Sequence, residues 1–592
     1  MKFPVISVLG FGLLTETVYS QVPTSIGCSF NDTMFEDASS LLGELGELGP
    51  GLRGSAWFDY NNDGALDLFI PKSGDLPGLF KNNGDGTFTN IAAEAGFVSG
   101  NYNQALTGDL DNDGYPDVIM TRYDFNPIDG RTVWVYKNNG DGTFTDVTDN
   151  AEVEGTASMA SGALGDYDND GLLDIFLTGA GPSFLIVGEN RSFFPNKLYK
   201  NIGNFSFTDV SSEAGIEAIF EGPNSDMEHP QACTVAFHDY NGDRNPDIIV
   251  GNCISEPVPG FNFFRNNGDG TFTDVTFEVG WDEPGVWMGM SPGDIDGDGL
   301  IDFYTGSTGI VPFVPVPAFE DGIYAHITFN ANGNGTYTAE KGAWIPNHEF
   351  NWGAVLFDVD NDGDLDLATV GSLPFLGAVG PGISNPGRLF INDGPSQFNG
   401  SLCLYDKDLT FSFTGGLSSG DFDGDGYIDL LITPGLFLTE TGDELPGAIS
   451  TAILLRNKGG STNFLTIKLV GTTSNRDGVG AIVRVNGQIR EVKIGSSLMS
   501  VEQIWPHFGL GSASEPVDVE IQWPSGLDET FIGVEVNQVI TLTEGGSTIP
   551  STYSPTSSPM EGNTSPLASD ASALVVSWML PLFPSVIALL ML

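Results

Sequence analysis

Seven nonapeptides written to one pattern constrain this chain more than any other feature. They read DYNNDGALD from Asp59, DLDNDGYPD from Asp109, DYDNDGLLD from Asp166, DYNGDRNPD from Asp239, DIDGDGLID from Asp294, DVDNDGDLD from Asp358 and DFDGDGYID from Asp421. One copy could be a solvated turn, since Asp, Asn and Gly favour turns. Turn propensity does not explain why four separated positions stay acidic or amidic in seven copies while their neighbours vary. Carboxylates crowded at the edge of an apolar run repel one another, and a divalent cation removes that cost.

Positions 1, 3, 5 and 9 are the expected metal ligands. They are Asp59, Asn61, Asp63 and Asp67; Asp109, Asp111, Asp113 and Asp117; Asp166, Asp168, Asp170 and Asp174; Asp239, Asn241, Asp243 and Asp247; Asp294, Asp296, Asp298 and Asp302; Asp358, Asp360, Asp362 and Asp366; and Asp421, Asp423, Asp425 and Asp429. A carbonyl from position 7, such as Ala65 or Leu172, would join them. Calcium takes about six to eight oxygens in flexible geometry, which such a loop plus water can supply, whereas magnesium demands a stricter octahedron. Up to seven calcium ions are expected. An EF-hand ends in Glu at position twelve, but here that position holds Ile70, Met120, Leu177, Val250, Thr305, Thr369 and Ile432, so the loop closes at position 9. The fourth loop is the doubtful site, because Arg244 replaces the usual Gly and Asn241 replaces an Asp.

The first residues of successive loops lie 50, 57, 73, 55, 64 and 63 residues apart, which suits one small sheet per repeat. Between loops recurs a Gly-rich turn: KNNGDGTFTN from Lys81, KNNGDGTFTD from Lys137 and RNNGDGTFTD from Arg265, with looser relatives from Lys200 and Asn330. Asn-Gly and Asp-Gly supply the positive φ that tight hairpins need. The strand after each loop, as in DIFLT, DIIVG and DLLIT, is apolar on both faces, which implies a sheet packed between two neighbours. The expected fold class is therefore all-β: a seven-bladed β-propeller over residues 21–461, followed by a small all-β domain over 462–546. An open solenoid would need polar caps that the sequence lacks. The segment TMFEDASS, Thr33 to Ser40, resembles the strands that end each repeat but precedes the first loop, so it is expected to complete the seventh blade.

Acidic residues number 78 against 22 basic ones, a formal charge of −56, which argues against nucleic acid or an anionic membrane surface as partner. Residues 1–20 read as a secretory signal peptide. That route permits glycosylation at the sequons of Asn31, Asn190, Asn204, Asn334, Asn399 and Asn563. Cys233 and Cys253 lie ten residues either side of Asp243 and are expected to pair across a hairpin; Cys28 and Cys403 either pair or stay as thiols. Residues 547–572 form a Ser/Thr/Pro-rich stalk. Residues 573–592 are apolar with no basic residue after them, which favours a glycolipid (GPI) anchor signal over a retained membrane helix. The expected place is the secretory pathway, then the outer face of the plasma membrane or the matrix.

The nonapeptides resemble the FG-GAP/VCBS repeats known from integrin α-subunit propellers. Downstream, NRDGVGAIVRV from Asn475, HFGLG from His507 and IQWPSG from Ile521 resemble the ASPIC/UnbV domain that follows such a propeller in cartilage acidic protein-like proteins. The resemblance implies a secreted, calcium-binding, glycosylated surface or matrix protein with no established catalysis.

Two functions follow as expectations. The first is a binding or adhesion module whose partner is an extracellular protein or glycan, met by the inserts near residues 184–194, 220–231, 310–324 and 375–386. The alternative is a polysaccharide-active enzyme using the propeller face. Catalysis is the weaker expectation, because the Asp residues are committed to loops and His229, His238, His326, His348 and His507 show no ligand or nucleophile spacing.

Overall fold

The last Asp of each nonapeptide is followed at once by apolar, largely β-branched or aromatic residues, and each of these Asp residues opens a buried strand. The computed structural model describes residues 34–43, 45, 47–48, 53–122, 131–155, 159–179, 194–217, 231–254, 260–285, 287–307, 326–341, 351–371, 385–394, 398–405, 413–435 and 450–546. Most of the four inserts, the signal peptide, Cys28, the stalk and the apolar tail lie outside them, as do the sequons of Asn31, Asn190 and Asn563 and the side chain of Asn399.

Seven four-stranded antiparallel sheets follow one another. In the first, Ala56–Phe58, Asp67–Ile70, Gly78–Asn82 and Phe88–Asn90 pair in that order. The innermost strands of the next six blades are Gln104–Gly108, Met159–Gly165, Gln231–His238, Trp287–Gly293, Gly353–Phe357 and Phe413–Gly420. Each touches the innermost strand of the following blade, and the seventh touches the first, so the ring is closed. Each acidic loop joins the first strand of a blade to the second. Those second strands, such as Asp117–Thr121 and Asp302–Ser307, are buried at every residue, as strands sandwiched between neighbouring sheets must be.

The seventh blade takes its fourth strand from the other end of the chain. Phe35–Asp37 pairs antiparallel with Ile453–Asn457, with Phe35 opposite Asn457 and Asp37 opposite Leu455. This is the closure expected from TMFEDASS. Across the same seam Ser55 and Ser418 share a buried hydrogen bond of 2.7 Å, and Thr433 Oγ1 donates to the Arg53 carbonyl at 2.6 Å.

A repeated asparagine staples the blades. The Asn at the end of the third strand, the second residue of KNN or RNN in the first, second and fourth blades, donates its side-chain N–H to a carbonyl of its own acidic loop and to the position 2 carbonyl of the loop one blade back. Asn82 reaches Phe422 and closes the ring; Asn138 reaches Tyr60, Asn201 Leu110, Asn266 Tyr167, Asn392 Ile295 and Asn457 Val359, at 2.7–3.2 Å. The fifth blade carries Ala331 instead. Aromatic packing holds that junction: Trp281 stacks on Phe329 at 4.0 Å, and Phe261 meets Phe329 edge-on at 5.4 Å.

Cys233 and Cys253 form a disulfide between the first two strands of the fourth blade, with Cα atoms 5.7 Å apart and a sequence separation of 20. Cys403 is disulfide-bonded too. Replacing Cys233 and Cys253 by Ala is expected to cost about 3 kcal/mol, the loop-closure entropy released in the unfolded chain, measurable by denaturant unfolding.

Residues 463–543 build two sheets. Asn463–Val470 pairs antiparallel with His507–Gly511 and parallel with Gln538–Thr543; a second sheet runs Gln488–Glu491, Ile482–Val485, Val517–Gln522, Asp528–Val534. The core is continuous with the ring, since Leu106 and Leu164 share an apolar cluster with Val483, Ile494 and Val501. The segment from Ile494 to Gln503 reaches the inner strands. Leu164 N–H donates to the Ile494 carbonyl, Val501 exchanges backbone hydrogen bonds with Ser55 and Trp57, Thr234 donates to the Ser496 carbonyl, and Gln503 N–H donates to Ser419. Inner strands line the axis of a closed ring, so this segment fills the axial channel. Gly54 and Gly509 show how tight the fit is. A Cβ on Gly54 would stand 1.5 Å from the Met499 carbonyl oxygen, and one on Gly509 would stand 2.0 Å from Asp358 Oδ2.

Candidate metal centres

Each acidic loop is wound around its own carboxylates. In the first six loops the position 1 Asp accepts from the backbone N–H of positions 5 and 6, as Asp59 does from Asp63 and Gly64 at 3.0 and 3.1 Å; in the seventh Asp421 accepts from Gly424 and Gly426. In six of the loops the residue after position 5 is a glycine at positive φ, which lets the chain turn there; the fourth loop makes the same turn with Arg244 at φ 68°. The position 9 Asp ties the loop to the blade. One oxygen accepts from position 2 and the other from the third strand, as Asp174 does from Tyr167 and Asn201 at 3.1 and 2.8 Å.

These bonds account for the outer oxygens and leave others pointing inward. In five loops three carboxylates bring ligand oxygens within 4.8 Å of one another: Asp109, Asp111 and Asp117; Asp166, Asp168 and Asp174; Asp294, Asp296 and Asp302; Asp358, Asp360 and Asp366; and Asp421, Asp423 and Asp425. In the first and fourth loops Asn61 and Asn241 take position 3, so only two of the corresponding three positions are carboxylates. Each of these asparagines instead donates to the position 5 carboxylate, Asp63 at 2.8 Å and Asp243 at 3.0 Å. Of the remaining expected ligands, Asp113, Asp170, Asp298 and Asp362 each accept a hydrogen bond from the position 7 N–H, and Asp429 accepts from Phe422 and Asn457 as its counterparts at position 9 do from theirs.

The chemistry of the donors fits a hard cation. Asp111 Oδ1, Asp168 Oδ1 and Asp360 Oδ1 are buried with no hydrogen-bond partner, and each belongs to position 3 of a loop. A buried carboxylate oxygen left unpaired costs about 1–3 kcal/mol or more, and a cation among convergent oxygens removes the penalty. Without one the carboxylates resist ionisation. Burial pushes Asp67 and Asp247 up to about 8, Asp117 to about 9, and Asp109, Asp166, Asp302 and Asp358 to about 7. Asp174, Asp366, Asp421 and Asp429 are held well above the usual carboxylate range, again by burial first and by neighbouring carboxylates after it.

Several participants are not among the expected ligands. Lys137 pairs with Asp111 and Asp113, Lys200 with Asp168 and Asp170, and the Arg456 guanidinium lies 2.6 Å from Asp423. These are the residues that open KNN in the second blade, KNI in the third and RNK in the seventh. Position 4 of the loops is also functional. Asn62, Asn112, Asn169 and Asn361 adopt φ of 56–59° and donate side-chain N–H to the position 6 carbonyl of the next loop: Gly114, Gly171, Arg244 and Gly426. A sequence signal existed in both cases, a basic residue before Asn-Asn and an Asn where other loops carry Gly, but either one alone also suits a turn.

The module of residues 463–543 sits on the loop ends of the ring. Lys468 Nζ contacts Asp59 Oδ2 at 3.1 Å, Asp477 accepts from Asp109 N–H at 2.7 Å, and Arg476 N–H donates to Asn112 Oδ1 at 3.0 Å. Arg244 of the fourth loop turns outward and forms a bidentate pair with Asp528, both contacts 2.9 Å. His507 Nε2 meets Asn361 Oδ1 at 2.7 Å, Gly511 N–H donates to the Asn361 carbonyl at 2.7 Å, and Gln503 accepts from Asp421 N–H at 3.0 Å. A cleft of about 440 Å³ lies between this module and the third to fifth blades, lined by Tyr240, Asn334, Glu491 and Trp523 among others.

A closed ring of seven sheets, each bearing an Asp-rich loop between its first two strands, with a β module on the loop face, is a β-propeller whose loops are similar to FG-GAP repeats and whose module is similar to the ASPIC/UnbV domain. The FG-GAP-like repeat family matches residues 59–120, 123–177 and 239–305, and the ASPIC and UnbV family matches residues 471–549. Cartilage acidic protein 1 of Mus musculus is 23% identical over 459 residues, covering 73% of this chain and 63% of that protein; the Homo sapiens protein is 23% identical over the same length, covering 73% and 62%. The chain thus spans less than two thirds of the length of these relatives. Among solved structures, the V. cholerae biofilm matrix protein Bap1 is 11% identical with a TM-score of 0.36, covering 73% of this chain and 92% of that one. Among the described residues no helix is long and apolar enough to cross a membrane.

Proposed function

We propose that this chain is an extracellular calcium-loaded β-propeller that acts as a surface or matrix binding module, with a protein or glycan as its ligand. The observation that carries the cation reading is the set of five convergent carboxylate triples, three of which hold a buried position 3 oxygen without a partner. Calcium suits them because every donor is oxygen and the loops are not constrained to an octahedron. With calcium bound, the loops neutralise their own charge and stiffen the first two strands of each blade. Likeness to cartilage acidic protein 1 supports an extracellular setting. Residues 494–503 cover the inner strands at the centre of the propeller face that the enzyme alternative would use, which supports binding over catalysis.

The test is isothermal titration of the chelator-stripped chain with calcium chloride, followed by a glycan and protein array read with calcium and with chelator. At least five calcium ions per chain, and saturable binding that chelator abolishes, are expected. No calcium uptake would overturn the cation reading, and product release from an arrayed polysaccharide would overturn the assignment as a binding module.

A further inference from the structure

The module of residues 463–543 places a carboxylate against one of the acidic loops of the ring. Asp477 Oδ2 accepts the Asp109 N–H at 2.7 Å, beside a loop that already holds Asp109, Asp111, Asp113 and Asp117. A fifth carboxylate at that distance is favourable only when the loop carries compensating positive charge. Lys137 of the ring and Lys468 and Arg476 of the module supply part of it, and a divalent cation in the loop adds to them.

The other docking bonds depend on loop shape. Asn361 offers its side-chain and backbone oxygens to His507 and Gly511, and Asn112 offers its side-chain oxygen to Arg476 N–H. Both asparagines sit at position 4, inside loops whose conformation is set by carboxylates gathered around one centre. Loops that splay to relieve repulsion would carry these acceptors away from the module. The module also brings positive charge to the loops, Lys468 on Asp59, Arg476 beside the second loop and Arg490 near Asp358 and Asp294, so its coupling to the loops rests chiefly on their shape.

We propose that docking of the C-terminal module on the ring is coupled to cation loading of the loops, so that stripping the cations releases residues 494–503 from the axial channel and opens it as an accessible surface. This rests on the cation reading above and adds a consequence that calcium uptake alone does not require. Cation and module bind cooperatively, because each favours the same closed loops.

Hydrogen–deuterium exchange of the full chain, with calcium chloride or with chelator, tests the coupling. In calcium, residues 494–503 are expected to be protected. In chelator, at a temperature where Asp117–Thr121 and Asp302–Ser307 stay protected, their exchange is expected to rise at least tenfold. Asp477→Asn keeps an acceptor for Asp109 N–H without the charge, and is expected to lessen the rise in chelator without abolishing it. Asn361→Gly places at position 4 the residue that the fourth, fifth and seventh loops carry there, and is expected to loosen the plug even in calcium while calcium stoichiometry is unchanged. If calcium binds but the plug exchanges equally with and without it, or opens only together with the blade strands, the coupling is wrong while the cation reading stands. Absence of calcium uptake overturns both.

Discussion

Stripped of divalent cations, the chain is expected to melt on the order of 10 °C lower than when loaded. A ligand at 100 times its Kd stabilises the folded state by about 2.7 kcal/mol per site. Five such sites give roughly 13 kcal/mol, set against an unfolding entropy of roughly 2 cal/mol/K for each of several hundred ordered residues. The pH dependence should reverse between the two forms. In the stripped chain, Asp67 and Asp247 are raised to about 8, Asp117 to about 9 and Asp302 to about 7, and Asp174, Asp366 and Asp429 are held well above the ordinary value of 3.8 that all regain on unfolding. A raised folded pKa contributes stability that is fully present below the unfolded value and is lost as pH rises through the folded one. The stripped protein should therefore lose stability steadily between about pH 4 and pH 9. With calcium the carboxylates are held ionised, so acidification displaces the ion and the loaded protein should lose stability as pH falls. Scanning calorimetry at pH 5 and pH 8.5, with calcium and with chelator, measures both signs. Equal melting temperatures in all four conditions would refute the cation sites.

The second large effect concerns ring closure. Asn82→Ala is expected to destabilise the chain by roughly 2–4 kcal/mol, because Asn82 is buried and its amide satisfies the carbonyls of Leu66 and Phe422 at 3.1 and 2.7 Å. The loss falls at the junction of the first and seventh blades, next to the blade that is completed only by the noncovalent pairing of Phe35–Asp37 with Ile453–Asn457, so it should raise the unfolding rate more than it slows folding. Ala331→Asn supplies the missing staple in the fifth blade, where it can reach the Tyr240 carbonyl. A gain of about 1 kcal/mol is expected, less than the loss at Asn82, since Ala331 is half-buried and the junction is already held by aromatic packing. Chevron analysis of the two variants separates these contributions.

Much of this architecture is legible in the residues alone. The period-2 ligand spacing, the apolar run after position 9 and the Asn-Gly turns are local patterns, and local patterns survive in one dimension. They yield the strand–loop–strand unit, its repetition, the closing strand at Phe35–Asp37 and the Cys233–Cys253 bridge. The roles of Asn82, Asn138 and their equivalents are not readable this way, because their partners lie 78 to 340 residues distant. Nor does the sequence show that Asp477 and Lys468 face the loops, since each is an ordinary charge until the module is placed on the ring.

Sequence by itself determined which atoms can hold a cation and which segments become strands, since both are decided by side chains within nine residues of one another. Tertiary structure alone decided which carboxylate oxygens are left unpaired, which blades are joined by amide staples, and that residues 494–503 fill the axis. The reason is burial: whether a polar atom is satisfied depends on what the closed ring brings against it from hundreds of residues away.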